Sequence, residues 1–111
     1  MPRERGKLLL KIAEAIQARS EELARTIALE TGNALRTQAR GETAMTADIF
    51  RYFGGLASEL KGETLPLGEH VLSYTRREPL GVVVAFAPWN APVILGAVSY
   101  THLTLPTICS V

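Results

Sequence analysis

Leu80-Gly81-Val82-Val83-Val84-Ala85-Phe86-Ala87-Pro88-Trp89-Asn90 is the stretch on which the reading of this chain turns. Val82 to Ala87 contains no polar residue and is rich in β-branched side chains. A strand covered on both faces reads this way, whereas a half-exposed strand alternates. Pro88 removes a ladder donor, fixes φ and biases Ala87 toward extended geometry, so the strand is expected over about 80–87 and no further. Trp89 and Asn90 then fall on the loop past a strand's carboxyl end, where open α/β sheets bind ligands. The Asn90 amide can donate to a developing negative charge without titrating. Taken alone, Pro-Trp-Asn reads first as a turn with a packing tryptophan, because Pro and Asn are ordinary turn formers.

The residues before this stretch are helical over about 3–61. Leu8, Ile12 and Ile16 recur every four residues with Leu9 and Ala13 beside them, an apolar stripe set against Arg5, Lys7, Lys11 and Glu14. Ser20 followed by Glu21 and Glu22 reads as an N-cap with acids in the first turn, and Gly32-Asn33 as the stop of that second helix. A third helical stretch runs from about Ala34 to Leu60, with Met45, Ile49, Tyr52, Phe53, Leu56 and Leu60 on its expected core face. Gly54-Gly55 inside it points to close packing by another backbone or to a kink.

After Gly62 the period changes. Leu65-Pro66-Leu67, Gly68-Glu69-His70 and Val71 to Arg77 read as extended chain, turn and extended chain, a β-hairpin over about 63–78. Leu72 and Tyr74 would share a face that needs cover from more protein or from a partner subunit. His70 falls in the turn with no second candidate ligand nearby, so no metal site is expected.

A chain of 111 residues has room for one small domain. Its 47% hydrophobic and 21% charged content is that of a globular chain. A net charge of +1 implies neither a nucleic-acid partner nor an anionic membrane surface. No apolar run approaches the length of a membrane span, and the N-terminus has no apolar signal core, so the expected location is cytoplasmic. Cys109 is the only cysteine, which rules out an intrachain disulfide and fits a reducing compartment.

Read together, Gly62-Glu63-Thr64-Leu65-Pro66, Tyr74 to Val83 and Pro88-Trp89-Asn90-Ala91-Pro92, in that order after the helices, resemble the N-terminal third of the NAD(P)-dependent aldehyde dehydrogenase superfamily over about residues 2–97. The resemblance implies an α/β fold: N-terminal helices, a β-hairpin of the oligomerisation-arm type, and the first buried strand of a truncated, Rossmann-like cofactor-binding domain. Asn90 matches the asparagine whose amide, with the backbone N–H of a catalytic cysteine, forms the family's oxyanion hole. Ala87, Pro88 and Trp89 match the segment beside the nicotinamide half of NAD or NADP. The implied reaction oxidises an aldehyde to a carboxylic acid: a thiolate adds to the carbonyl, hydride passes to the cofactor, and glutamate-activated water hydrolyses the thioester. The family's nucleophile and general base lie well downstream of the asparagine. The expected chain is therefore an inactive part of such an enzyme, homo-oligomeric through the hairpin when whole. Cys109 does not replace the nucleophile, since Pro106-Thr107-Ile108-Cys109-Ser110 does not resemble the nucleophile loop.

The pattern departs from the family near Val98. Where many members carry a lysine this chain has Ser99, and the helix expected there is lost; Val98 to Thr107 resembles a translated sequencing adapter, a non-native tail over 98–111. His102 has no partner base and is expected to carry no function. The competing function class is a non-catalytic helical and β-hairpin interaction module, docking through the uncovered apolar face.

Overall fold

A computed structural model describes residues 2–78 and 80–104. Cys109 and the end of the proposed tail lie outside the described residues. The element order is α1 (Pro2–Ala18), α2 (Ser20–Thr31), a π-helical turn (Leu35–Ala39) that runs directly into α3 (Arg40–Leu56), β1 (Thr64–Leu65), β2 (Ser73–Tyr74) and α4 (Pro92–Thr104).

The core forms where α1 and α4 pack on α3. Leu9, Ala13, Phe50, Ala57 and Ala97 are buried together, with Ile12, Ile16, Ile49, Phe53 and Leu60 packed around them. A second cluster, Ala24, Ile27 and Ala39, joins α2 to the π-helical turn and is flanked by Leu35 and Val93. Small residues at these contacts bring the helices close. An added Cβ on Gly6 would stand 2.7 Å from the Gly54 carbonyl oxygen, so the glycine lets the backbones of α1 and α3 approach. Close packing thus explains Gly54, while Gly55 faces open space.

Several expectations shift by a residue or a face. Ser20 is the first residue of α2 and not its cap, since Arg19 occupies that place without a side-chain cap hydrogen bond. Gly32 does end α2, in the left-handed conformation at φ 76° with its N–H on the Ala28 carbonyl. On α1 the buried pair is Leu9 and Ala13, and Leu8 stays half exposed. On α3, Met45 and Tyr52 are exposed, and the buried stripe is Glu42, Thr43, Thr46, Ala47, Phe50 and Gly54. Where α3 meets α1 the fit is close at Gly54, whose neighbours are Leu10 and Gly6. Both buried threonines satisfy their hydroxyls on the helix itself, Thr43 on Arg40 O and Thr46 on Glu42 O.

The hairpin forms with strands of two residues each, antiparallel, with Thr64 opposite Tyr74 and Leu65 opposite Ser73. Its base is closed by Thr75 N–H on Glu63 O and Glu63 N–H on Thr75 Oγ1, both at 2.8 Å. Leu72 and Tyr74 are exposed, as the uncovered face required.

Two expectations fail within these residues. Leu80 to Ala87 forms no strand, and Val82 and Phe86 are 97% and 92% exposed. A buried strand needs neighbours on both edges and cover on both faces, and the described residues provide none there. The segment from Val98, expected to have lost its helix, is helical as far as Thr104, within α4 (Pro92–Thr104). Proline is well suited to the first helical position, where its missing N–H has no partner to lose. Thr101 is fully buried and donates to Ala97 O at 2.9 Å, and the His102 ring packs edge-on against Phe53. These contacts hold as helix a run whose composition does not favour one.

Candidate active site

Asn90 sits in a turn with Trp89, one bend residue before α4 begins. Pro92 occupies the first position of α4, and Leu95 N–H makes an early helical bond to Ala91 O at 3.2 Å. The next two amides, Val93 and Ile94, belong to the donors that every helix N-terminus leaves without intrahelical partners. Both donate to one oxygen, Glu42 Oε1, at 2.9 Å and 3.2 Å. Glu42 comes from α3, is 8% exposed, and supplies the negative charge that the first turn of α4 lacks in its own sequence. Buried polar oxygens need hydrogen-bond partners, and two helix-terminal N–H groups supply them here.

The other side of the turn is held by Asn33. Its side-chain Nδ2–H donates to the Asn90 carbonyl at 2.9 Å. Asn33 is itself anchored, because its backbone N–H donates to Thr31 Oγ1 at 3.0 Å and that hydroxyl donates to Ile27 O at 2.7 Å. The backbone of Asn90 is thus tied to the end of α2 by its own carbonyl and to α3 through the start of α4. Its side-chain amide is exposed and bonds to no other group among the described residues.

Ala87, Pro88 and Trp89 lie on the exposed loop that leads into this turn. Of the three, Trp89 shares the turn with Asn90. Two cavities on the helical bundle lie elsewhere. One of about 250 Å³ is bordered by Gln17, Ser20, Thr43, Ala47, Asp48 and Arg51, the other by Met45, Asp48, Ile49 and Tyr52. Among the described residues no cluster of three or more His, Cys, Asp or Glu side chains could hold a metal ion. Among the described residues no helix is long and apolar enough to cross a membrane.

Glu42 and Asn33 are the residues that sequence reasoning missed. Glu42 left one signal: it stands four and eight residues before Thr46 and Phe50, an acid on the buried stripe of a helix, where a carboxylate needs a partner. Asn33 left none, since its role depends on a residue 57 positions away.

Comparison with known proteins identifies the family. The model of the aldehyde dehydrogenase family matches residues 1–105. An aldehyde dehydrogenase of Enchytraeus buchholzi is 39% identical over 94 residues, which cover 85% of this chain and 19% of that protein. The NAD+ complex of an aldehyde dehydrogenase from Bacillus cereus superposes with a TM-score of 0.85 at 31% identity, covering 96% of this chain and 22% of its own. The glyceraldehyde-3-phosphate dehydrogenase GapN of Methanocaldococcus jannaschii, complexed with NADP, superposes with the same score and identity over 96% of this chain and 23% of its own. The chain spans about a fifth of the length of these relatives. With the match running through the helices, the hairpin, the Pro-Trp-Asn turn and α4, the chain belongs to the aldehyde dehydrogenase family.

Proposed function

We propose that this chain is part of an NAD(P)-dependent aldehyde dehydrogenase and that Asn90 is an oxyanion donor of its active site. The observation that carries this reading is the turn itself: an exposed amide on a backbone held from both sides, in a chain of this family. As a nucleophile adds to an aldehyde, the carbonyl oxygen gains charge. A fixed amide donor at about 3 Å stabilises that charge without titrating or reorganising. The product is a carboxylic acid.

The bound nicotinamide cofactor would supply the hydride acceptor. Ala87, Pro88 and Trp89 offer one edge for its nicotinamide half, immediately before the donor. The N-terminus of α4 is unsuited to the cofactor's phosphates, because the Glu42 carboxylate already occupies the place where an anion would bind. The phosphates must therefore be held by residues other than these. The hairpin, with Leu72 and Tyr74 exposed on a short two-stranded ribbon, offers an edge for pairing with a neighbouring subunit. An interaction module would use the same exposed face, but it gives no account of the twice-anchored asparagine.

Asn90→Ala in the full-length dehydrogenase should lower kcat by about 10²- to 10³-fold. Wild-type kcat in that variant would end the reading. The 111-residue chain alone, mixed with aldehyde and NAD+ or NADP+, should form no reduced cofactor, and turnover there would show that it is not an incomplete site.

A further inference from the structure

We infer that Glu42 and Asn33 are positioning residues for Asn90, a two-sided clamp that fixes the backbone carrying its amide; the inference rests on the reading of Asn90 given above. Three observations carry it. Glu42 Oε1 accepts from Val93 and Ile94, the third and fourth residues after Asn90, so one buried carboxylate sets where α4 starts. Asn33 Nδ2 donates to the carbonyl of Asn90 itself. The two anchors come from α3 and from the loop after α2, elements joined by the Ala24, Ile27 and Ala39 cluster, against which Val93 also packs.

The geometry matters because the segment before Asn90 gives it no support. Leu80 to Trp89 is exposed throughout its described residues, so the turn receives its orientation from the helical side. Removing the Glu42 carboxylate would leave two helix-terminal donors unpaired and free α4 to slide or fray by a fraction of a turn. A displacement of about 1 Å at a donor can cost about a hundredfold in rate. Asn33 restrains one carbonyl, so its loss should cost less.

The test is a kinetic cycle in the full-length dehydrogenase, with Asn90→Ala, Glu42→Ala, Glu42→Gln, Asn33→Ala and the double variant Glu42→Ala with Asn90→Ala. Hydrogen exchange at the Val93 and Ile94 amides is read on the same proteins. Glu42→Ala should lower kcat by about 10- to 100-fold with KM little changed, and should speed exchange at those two amides. Glu42→Gln keeps an acceptor oxygen and should recover most of the rate. In the Asn90→Ala background, Glu42→Ala should cost little more, because the group it positions is gone. An equal cost in both backgrounds would make Glu42 merely structural and overturn the inference, as would wild-type kcat in both Glu42→Ala and Asn33→Ala. Should Glu42→Ala fail to fold, Asn33→Ala still decides: a lowered kcat with KM little changed supports the clamp, and wild-type kcat there overturns it. Wild-type kcat in Asn90→Ala removes the oxyanion reading first and this inference with it. A loss there combined with indifferent anchors removes the inference alone.

Discussion

Gly6 and Gly54 face each other where α1 crosses α3, and Gly6 and Gly55 should answer oppositely to the same substitution. An alanine at position 6 would put its Cβ 2.7 Å from Gly54 O and 2.9 Å from the Ala57 side chain. Neither neighbour can yield without moving a helix, because one is backbone and the other is buried. Gly6→Ala should therefore destabilise the bundle by about 1–3 kcal/mol, the usual cost of overpacking. Gly55 meets nothing within 4 Å, and its φ is not left-handed. Gly55→Ala should stabilise α3 by up to about 1 kcal/mol through helix propensity alone. Thermal unfolding of the two variants, followed by circular dichroism, checks both signs, and a lowered midpoint for Gly55→Ala would show that this segment needs its flexibility.

Between elements, the link from α2 to α3 is electrostatic on its outer side. Arg40 on α3 makes two hydrogen bonds to the Glu21 carboxylate on α2, at 2.8 Å and 2.9 Å, and Arg25 adds a third at 3.2 Å. The Arg40 hydrogen bonds, then those of Arg25, lower the Glu21 carboxyl from its ordinary 4.5 to about 2. A carboxyl whose folded-state pKa is depressed stabilises the fold above its unfolded pKa and loses that contribution as pH falls through the folded one. The α2–α3 contact should thus be at full strength above about pH 4.5 and fade toward pH 2. Being exposed, it should also weaken with added salt. Glu21→Gln should flatten acid unfolding across this window, and an unchanged acid limb would show that the pair does not couple the helices.

The same elements show what could be read from sequence. Gly32 ended α2 where a left-handed position was expected, since a helix stop is a local property of one residue. On α3, Ile49 and Phe53 pack on the core as expected while Met45 and Tyr52 point outward, because which stripe is buried is decided by the helices packed on it, not by the period alone. Helix α4 was missed since its start depends on Glu42, 51 residues away from Val93. The turn at Trp89 and Asn90 was legible through Pro88, but its hydrogen bond from Asn33 and the tie of α4 to Glu42 were not.

At the scale of the whole molecule, the chain is extended and one end of it is bare. Its radius of gyration is 17.6 Å, against about 13 Å for a compact chain of this length, and it measures 61 × 25 × 23 Å. The length comes from a helical bundle with its own core at one part and from segments that bury almost nothing at another, since all described residues from Lys61 to Leu72 and from Leu80 to Asn90 are exposed. Val82, Val84, Phe86 and Trp89 present apolar surface within one short span, and Leu72 and Tyr74 add more on the hairpin. Patches of this kind on an isolated chain drive association, and a β-branched segment without strand partners does so by pairing with its copies. The 111-residue chain should therefore elute at concentration-dependent size and bind a hydrophobic dye, with its helices still formed. Val84→Lys together with Phe86→Lys should suppress both signals without changing helical content, because neither side chain belongs to the buried clusters. If the double variant associates as strongly as the parent chain, the sticky surface lies on the hairpin instead, and Leu72→Lys with Tyr74→Lys becomes the pair that restores a monomer.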